Sequence, residues 1–270
     1  MLNEKGLTEI RNILREELKN YCGKEHIKLN ISEKNLRRIL TKNSRFVLDF
    51  ELVKKLDLTG FRFINIDISG LDFTGSKGVK INPQTIRNKD MHLCKLNGVT
   101  LIGTLDDVLI VGTDFTNSKG AIINPQTIAY KNMSGAKLCD AKLIDEVKDV
   151  YIVGTNFTGC IGGATILADR VIDKDFRHTV LSGTNIVGSL DWAKLDYSNF
   201  SHSKGAIIDL QRTYNRTVEG AKLVDATIVG STSGINIKNT IFYICDLSSY
   251  HKVSNEANEL IKIIKDDFKK

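Results

Sequence analysis

A fourteen-residue segment is written almost identically twice in this chain: FTGSKGVKINPQTI from Phe73 to Ile86, and FTNSKGAIINPQTI from Phe115 to Ile128. The recurrence belongs to a longer register, because Phe73, Phe115, Phe157, Phe200 and Phe242 are separated by 42, 42, 43 and 42 residues. A fixed period of this length points to stacked repeats, in which no single repeat can bury its apolar side alone.

A shorter step lies beneath the long one. From Met91 the large apolar residues run Leu96, Leu101, Leu105, Ile110, Phe115, Ile123, Ile128 and Met133, at steps of 5, 5, 4, 5, 5, 8, 5 and 5. The next unit repeats the series with Leu138, Leu143, Val147, Ile152, Phe157, Ile166, Val171 and Phe176, one residue longer after Phe157. Side chains of extended backbone alternate between faces, so a centre and the residue two before it point the same way and three residues remain to turn a corner. Four such sides close a square coil, and eight centres make two coils per long repeat. The slot two before each centre must be small, because four large side chains already fill a narrow shaft. Cys94, Val99, Thr113, Ala136, Ala141, Thr155, Thr184, Ala193, Ser198, Ala221 and Ala226 occupy these slots. Glycine recurs two after the centre, as at Gly75, Gly98, Gly112 and Gly135, where a corner can use its backbone freedom.

The segments AKLCD, AKLID, AKLDY and AKLVD, together with this sustained step, resemble the pentapeptide repeat family over about residues 46–249. The resemblance implies an all-β solenoid, a right-handed quadrilateral β-helix. The eight-residue step around NSKGAII and the four-residue step in LIGTL depart from strict family form, but they recur in register and are expected to be bulges on fixed edges. Counting centres from Leu58 to Leu247 gives about nine coils, or roughly 43 Å of stack at about 4.8 Å per strand.

Three segments result from this partition. Residues 1–45 form a basic N-terminal cap: LTEIRNILREELKNYCG sets Leu7, Ile10, Leu14 and Leu18 at helical spacing after Thr8, and SEKNLRRIL starts a second helix at Ser32. Residues 46–249 are the β-helix. Residues 250–270 carry an amphipathic helix from Ser254 whose stripe, Ala257, Leu260, Ile261, Ile264 and Phe268, is expected to cover the end of the stack or to pair two copies as a homodimer, as family members often do through that end.

The net charge of +6 is unevenly spread: residues 1–55 hold 13 Lys and Arg against 8 Asp and Glu, residues 251–270 hold 5 against 4, and the middle is balanced. A neutral body argues against nucleic acid as the partner, since neutralising phosphates needs clustered cations. Cys22, Cys94, Cys139, Cys160 and Cys245 are odd in number and never in CxxC form, so neither a disulfide framework nor a zinc site is expected. With no apolar run long enough for a membrane span and no secretory leader pattern at the start, a cytoplasmic protein with reduced thiols is expected.

Candidate sites are surface features. Lys77, Lys119 and Lys204 recur at the eight-residue step and are expected to stack on one edge, every second coil, as a cationic ladder for an acidic partner. Trp192 falls on an outward corner where other units carry Asp107, Asp149 and Gly234, the position of a partner anchor. The pairs Asp106-Asp107 and Asp145-Glu146 share an edge as a solvated acidic face. The Asn82-Pro83 and Asn124-Pro125 pairs read as corners. His26, His92, His178, His202 and His251 do not recur in register, and no metal spacing, phosphate-cradling glycine loop or nucleophile–base pattern occurs, so neither an enzyme nor a cofactor is expected. The expected function is a rigid, non-catalytic protein-binding or scaffold module with a protein partner. The resemblance implies an alternative, a DNA-mimicking inhibitor or protector of DNA gyrase or a related topoisomerase (quinolone-resistance type), which requires an acidic exterior.

Overall fold

Small residues in the inward slots let the chain return on itself at short range. The computed structural model describes residues 58–60 and 62–242. The segments expected to be helical at both ends, with Cys22, Cys245, His26 and His251, lie outside the described residues. By internal packing the chain divides into two compact units, Met1–Asp145 with Gly159–Gly163, and Glu146–Thr158 with Ala164–Lys270.

In the first unit the strands are β1 (Lys80–Ile81), β2 (Thr100–Leu101), β3 (Ile122–Ile123) and β4 (Lys142–Leu143). β1 pairs with β2 and β3 with β4, both parallel. Single parallel bridges extend the pattern: Asp72 to Lys95, Lys95 to Asp114 and Asp114 to Lys137 form one column, with Thr100 to Lys119 and Lys142 to Ile161 on another side. In the second unit β5 (Ala164–Leu167) pairs with β6 (Thr184–Val187), and β7 (Ile207–Asp209) with β8 (Thr227–Val229), again parallel. A bridge column runs there from Asn156 through Val180, Asn199 and Lys222 to Ile241. Each unit is thus β-helix-like: one pass of chain pairs in parallel with the next, about twenty residues later in sequence.

The interior follows the periodic pattern. Phe73, Phe115, Phe157, Phe176 and Phe200 are fully buried, as are Leu96, Ile110, Ile123, Met133, Leu138, Ile152 and Ile166. The small slots are buried too, from Cys94 and Val99 to Ala193, Ser198 and Ala221. Polar slot residues are tolerated because each finds a carbonyl: the Thr113 hydroxyl donates to Met91 O at 2.6 Å, Thr184 to Leu181 O at 2.7 Å and Ser198 to Leu195 O at 2.5 Å.

Four expected inward positions are only half-buried: Leu143, Ala226, Ile228 and Phe242. Leu143 follows Lys142, which pairs with Ile161, and the residue after Ile161 is Gly162, which brings no side chain over it. Ala226, Ile228 and Phe242 lie near the limit of the described residues.

The residue before four of the recurring phenylalanines locks the corner that comes after it. Asp72, Asp114, Asn156 and Asn199 each accept, through Oδ1, the backbone N–H two residues on, at 2.9–3.0 Å. An Asx turn of this kind substitutes for a backbone hydrogen bond where the strand ends. Asn82 and Asn124 do the same before Gln84 and Gln126, so the Asn-Pro pairs are corners.

Candidate functional site

Corners decide which side chains the surface presents. At Arg87–Lys89, Ala129–Lys131, Ile172–Lys174 and Tyr214–Arg216 two successive residues adopt left-handed backbone, at Asn88-Lys89, Tyr130-Lys131, Asp173-Lys174 and Asn215-Arg216. Each turn closes with a hydrogen bond such as Asp90 N–H to Arg87 O at 3.2 Å. Two consecutive positive φ angles define a type I′ turn, for which Asn-Gly is the favoured pair. The Asn and Asp residues suit it, whereas Tyr130 is a bulky residue in this conformation and is 81% exposed. Nothing in the sequence around Ala129-Tyr130-Lys131 singles it out; only its equivalence to Asn88, Asp173 and Asn215 reveals the turn.

Trp192 occupies a turn position equivalent in the repeat to Asp107, Asp149 and Gly234. All four have positive φ, at 63°, 58°, 52° and 72°. Its N–H donates to Arg212 O, and its side chain is 61% exposed. Asp and Gly enter left-handed backbone easily, but an indole gains nothing there locally.

Around that corner the second unit is dense in charge and aromatic surface. Asp175, almost buried, receives Arg177 Nε at 2.9 Å and Nη2 at 2.6 Å, with Lys194 Nζ at 3.6 Å. Burial disfavours its charge, but the Arg177 hydrogen bonds and the Arg177 and Lys194 charges outweigh that, holding the carboxyl below the usual carboxylate range. Because the folded value is depressed, its stabilisation is present above the unfolded value near about 3.9 and is lost as pH falls through the folded value. Asp175→Asn is therefore expected to cost about 1–2 kcal/mol at pH 7. Urea titrations at pH 7 and pH 3 should show the gap between the two proteins narrowing in acid. Nearby, Lys194 Nζ lies 5.3 Å from the Tyr214 ring centroid, and His178 stacks on Tyr197 with centroids 5.0 Å apart.

The lysines of the eight-residue step take part in the backbone pairing. The Lys119 N–H donates to Val99 O at 2.9 Å and its carbonyl accepts Leu101 N–H at 2.8 Å. Through Thr100 it stands in register with Lys80, two passes below, rather than with Lys77. The cause is a bulge. Gly120, at φ 73°, turns the chain so that Lys119 pairs with the pass below while Ile122, three residues on, pairs with Lys142 above. Lys204, in the second unit, pairs likewise with Asn185 below, and Thr165 stands two passes beneath it.

Among the described residues of the first unit, the main column of paired charges is not a continuous acidic strip. Along the column Asp72, Lys95, Asp114, Lys137 the charges alternate, with Lys95 Nζ 3.2 Å from Asp72 and Lys137 Nζ 3.0 Å from Asp114. Asp107 pairs with Lys89 at 3.3 Å, and Asp106 accepts the Thr127 hydroxyl, the main cause of its lowered pKa.

The described thiols are not tuned for nucleophilic attack. Burial pushes Cys160 up to about 12 and Cys94 higher still, and burial followed by the Asp140 carboxylate raises Cys139. His92 Nδ1 lies 2.6 Å from Asp90 Oδ1. No group of three or more potential metal ligands occurs among the described residues, and no helix there is long and apolar enough to cross a membrane.

No family model matches the sequence, and no curated protein matches it. Among solved structures the chain is similar to full-length QnrB1, a plasmid-mediated fluoroquinolone resistance protein, at 14% identity over 78% of this chain and 94% of that one, with a TM-score of 0.21. A trypsin-treated variant of QnrB1 matches at 15% identity over 76% of this chain and 86% of that one, with a TM-score of 0.20. Both scores lie below the level at which a superposition defines a common fold, and the architecture rests instead on the residues and their pairing.

Proposed function

We propose that the chain is a pentapeptide-repeat protein, a right-handed quadrilateral β-helix with helical segments at its two ends, acting in the cytoplasm as a rigid, non-catalytic binding or scaffold module for another protein. The parallel pairing of passes and the filled inward slots support the architecture. One observation carries the function: Trp192 is held in left-handed backbone and 61% exposed, at a corner other passes fill with Asp or Gly. Left-handed backbone costs a side-chain-bearing residue about 1–2 kcal/mol, and exposing an indole to water returns none of it. Aromatic residues are enriched among those that dominate protein interfaces, and a rigid scaffold presents such an anchor without ordering cost.

The variant Trp192→Asn separates the two roles. Its thermal stability is expected to be unchanged or raised by up to about 1 kcal/mol, since Asn enters this backbone region readily. Immobilised wild-type protein should retain a saturable partner from native lysate that the variant retains at least tenfold less. Equal retention by both would overturn this reading.

The gyrase-directed alternative is tested separately by DNA supercoiling with and without a quinolone. Because Asp72, Asp107 and Asp114 are each paired with a lysine, the expected result is neither inhibition nor protection.

A further inference from the structure

The strands of the first unit carry a surface unlike the rest of that unit. Ile102, Ile122, Ile144 and Ile161 are 50%, 47%, 56% and 53% exposed. Ile122, Lys142 and Ile161 are successive partners in one parallel column. Ile102 and Ile144 each lie two residues beyond an outward-facing strand residue, Thr100 and Lys142, and so face the same side; their N–H groups donate to Ile81 O and Ile123 O.

Among these isoleucines stand Lys80, Lys119 and Lys142, all exposed. None of the three forms an ion pair among the described residues, and no acidic residue occurs in β1, β2, β3 or β4. Elsewhere in the unit Lys89, Lys95 and Lys137 each have a carboxylate within 3.3 Å. Three cations without a counter-charge among the described residues thus stand on a face whose other exposed side chains are aliphatic.

We propose that this face docks an acidic, aliphatic-rich segment of a partner protein, with carboxylates over Lys80, Lys119 and Lys142 and aliphatic side chains over Ile102, Ile122, Ile144 and Ile161. The proposal rests on reading the chain as a protein-binding module, and it names the partner's chemistry. Two features favour protein over other polyanions. Single-stranded nucleic acid binds on aromatic platforms beside clustered cations, and no aromatic residue occurs in these strands. An anionic membrane is engaged by apolar groups that reach about 5–10 Å into the interface, whereas these isoleucines stand directly on a sheet. Adjacent passes about 4.8 Å apart bring each lysine within one strand spacing of an isoleucine or threonine, a fit for a segment alternating acid and aliphatic residues.

The test is fluorescence anisotropy with full-length protein and a labelled dodecapeptide of alternating Glu and Leu. Parallel probes are an all-Glu dodecamer, a Lys-Leu dodecamer, a twelve-nucleotide oligo-dT and phosphatidylserine–phosphatidylcholine vesicles. The variants are Lys119→Glu/Lys142→Glu and Ile122→Ser/Ile144→Ser, whose exposed positions leave the fold intact, as circular dichroism checks. The expected result is saturable binding of the Glu-Leu peptide alone, weakened at least tenfold by either double substitution. No binding, binding indifferent to the isoleucine substitutions, or tighter binding of oligo-dT or vesicles would overturn the proposal. Trp192→Asn should leave peptide binding unchanged, so loss of this inference and loss of the anchor reading are separate results.

Discussion

Replacing Phe115 by alanine is expected to cost about 3–5 kcal/mol, the largest effect of any single substitution considered for this chain. The ring is completely buried, and the passes that bracket it are tied to it by backbone: Phe115 N–H donates to Lys137 O at 2.9 Å, and neighbouring Asp114 N–H donates to Cys94 O at 2.8 Å. Those bonds keep the passes at fixed spacing, so the walls cannot collapse into the vacated space and the cavity persists. Phe115→Leu keeps most of the volume and should cost well under half as much. Chemical denaturation monitored by far-ultraviolet circular dichroism measures both. A Phe115→Ala cost below about 1 kcal/mol would mean that the ring is not packed between passes.

The second large effect is expected at Gly120. A methyl group there would lie 2.5 Å from the carbonyl oxygen of Leu101, a backbone atom that cannot swing away, and the residue has φ 73°. Two costs combine: left-handed backbone, about 1–2 kcal/mol, and displacement of the pass below. Gly183 isolates the first, because its φ is 78° but a methyl there meets nothing within 4 Å. Gly183→Ala should therefore cost about 1–2 kcal/mol and Gly120→Ala about 3 kcal/mol or more. Equal costs would remove the close approach of Leu101 as a constraint. At Gly205 of the second unit a methyl likewise runs into a backbone carbonyl, that of Ile186, so Gly205→Ala should group with Gly120→Ala.

These two sites also show what was legible in the sequence. Phe115 and the buried partners of its series announce themselves by period, because a narrow interior admits only a large residue and a small one in alternation, and that demand repeats with every pass. The Asx role of Asp72, Asp114, Asn156 and Asn199 before their phenylalanines needs the turn geometry. The bulge at Gly120 was visible as an eight-residue step, yet spacing alone does not say which residue pairs downward and which upward. Left-handed Gly120 sends Lys119 to the pass below and Ile122 to the pass above, and so Lys119 joins Lys80 rather than Lys77. The corner position of Trp192 emerged from counting, whereas its left-handed backbone did not, since indole side chains carry no signal for it. Tyr130 escaped notice for the same reason. The isoleucine–lysine face was hidden because its members come from different passes and become neighbours only through the pairing register.

Register is therefore the central claim, and cysteine cross-linking tests it most directly. In a chain whose five native cysteines are alanine, the pairs Thr100→Cys/Lys119→Cys and Ile122→Cys/Lys142→Cys join residues on adjacent passes, about 4.8 Å apart at the backbone and within disulfide reach. Lys80→Cys/Lys119→Cys spans two passes, about 9.6 Å, beyond it. Mild oxidation followed by non-reducing electrophoresis and peptide mapping should give intramolecular disulfides for the first two pairs and none for the third. Cross-linking of the third pair, or failure of the first two, would contradict the account.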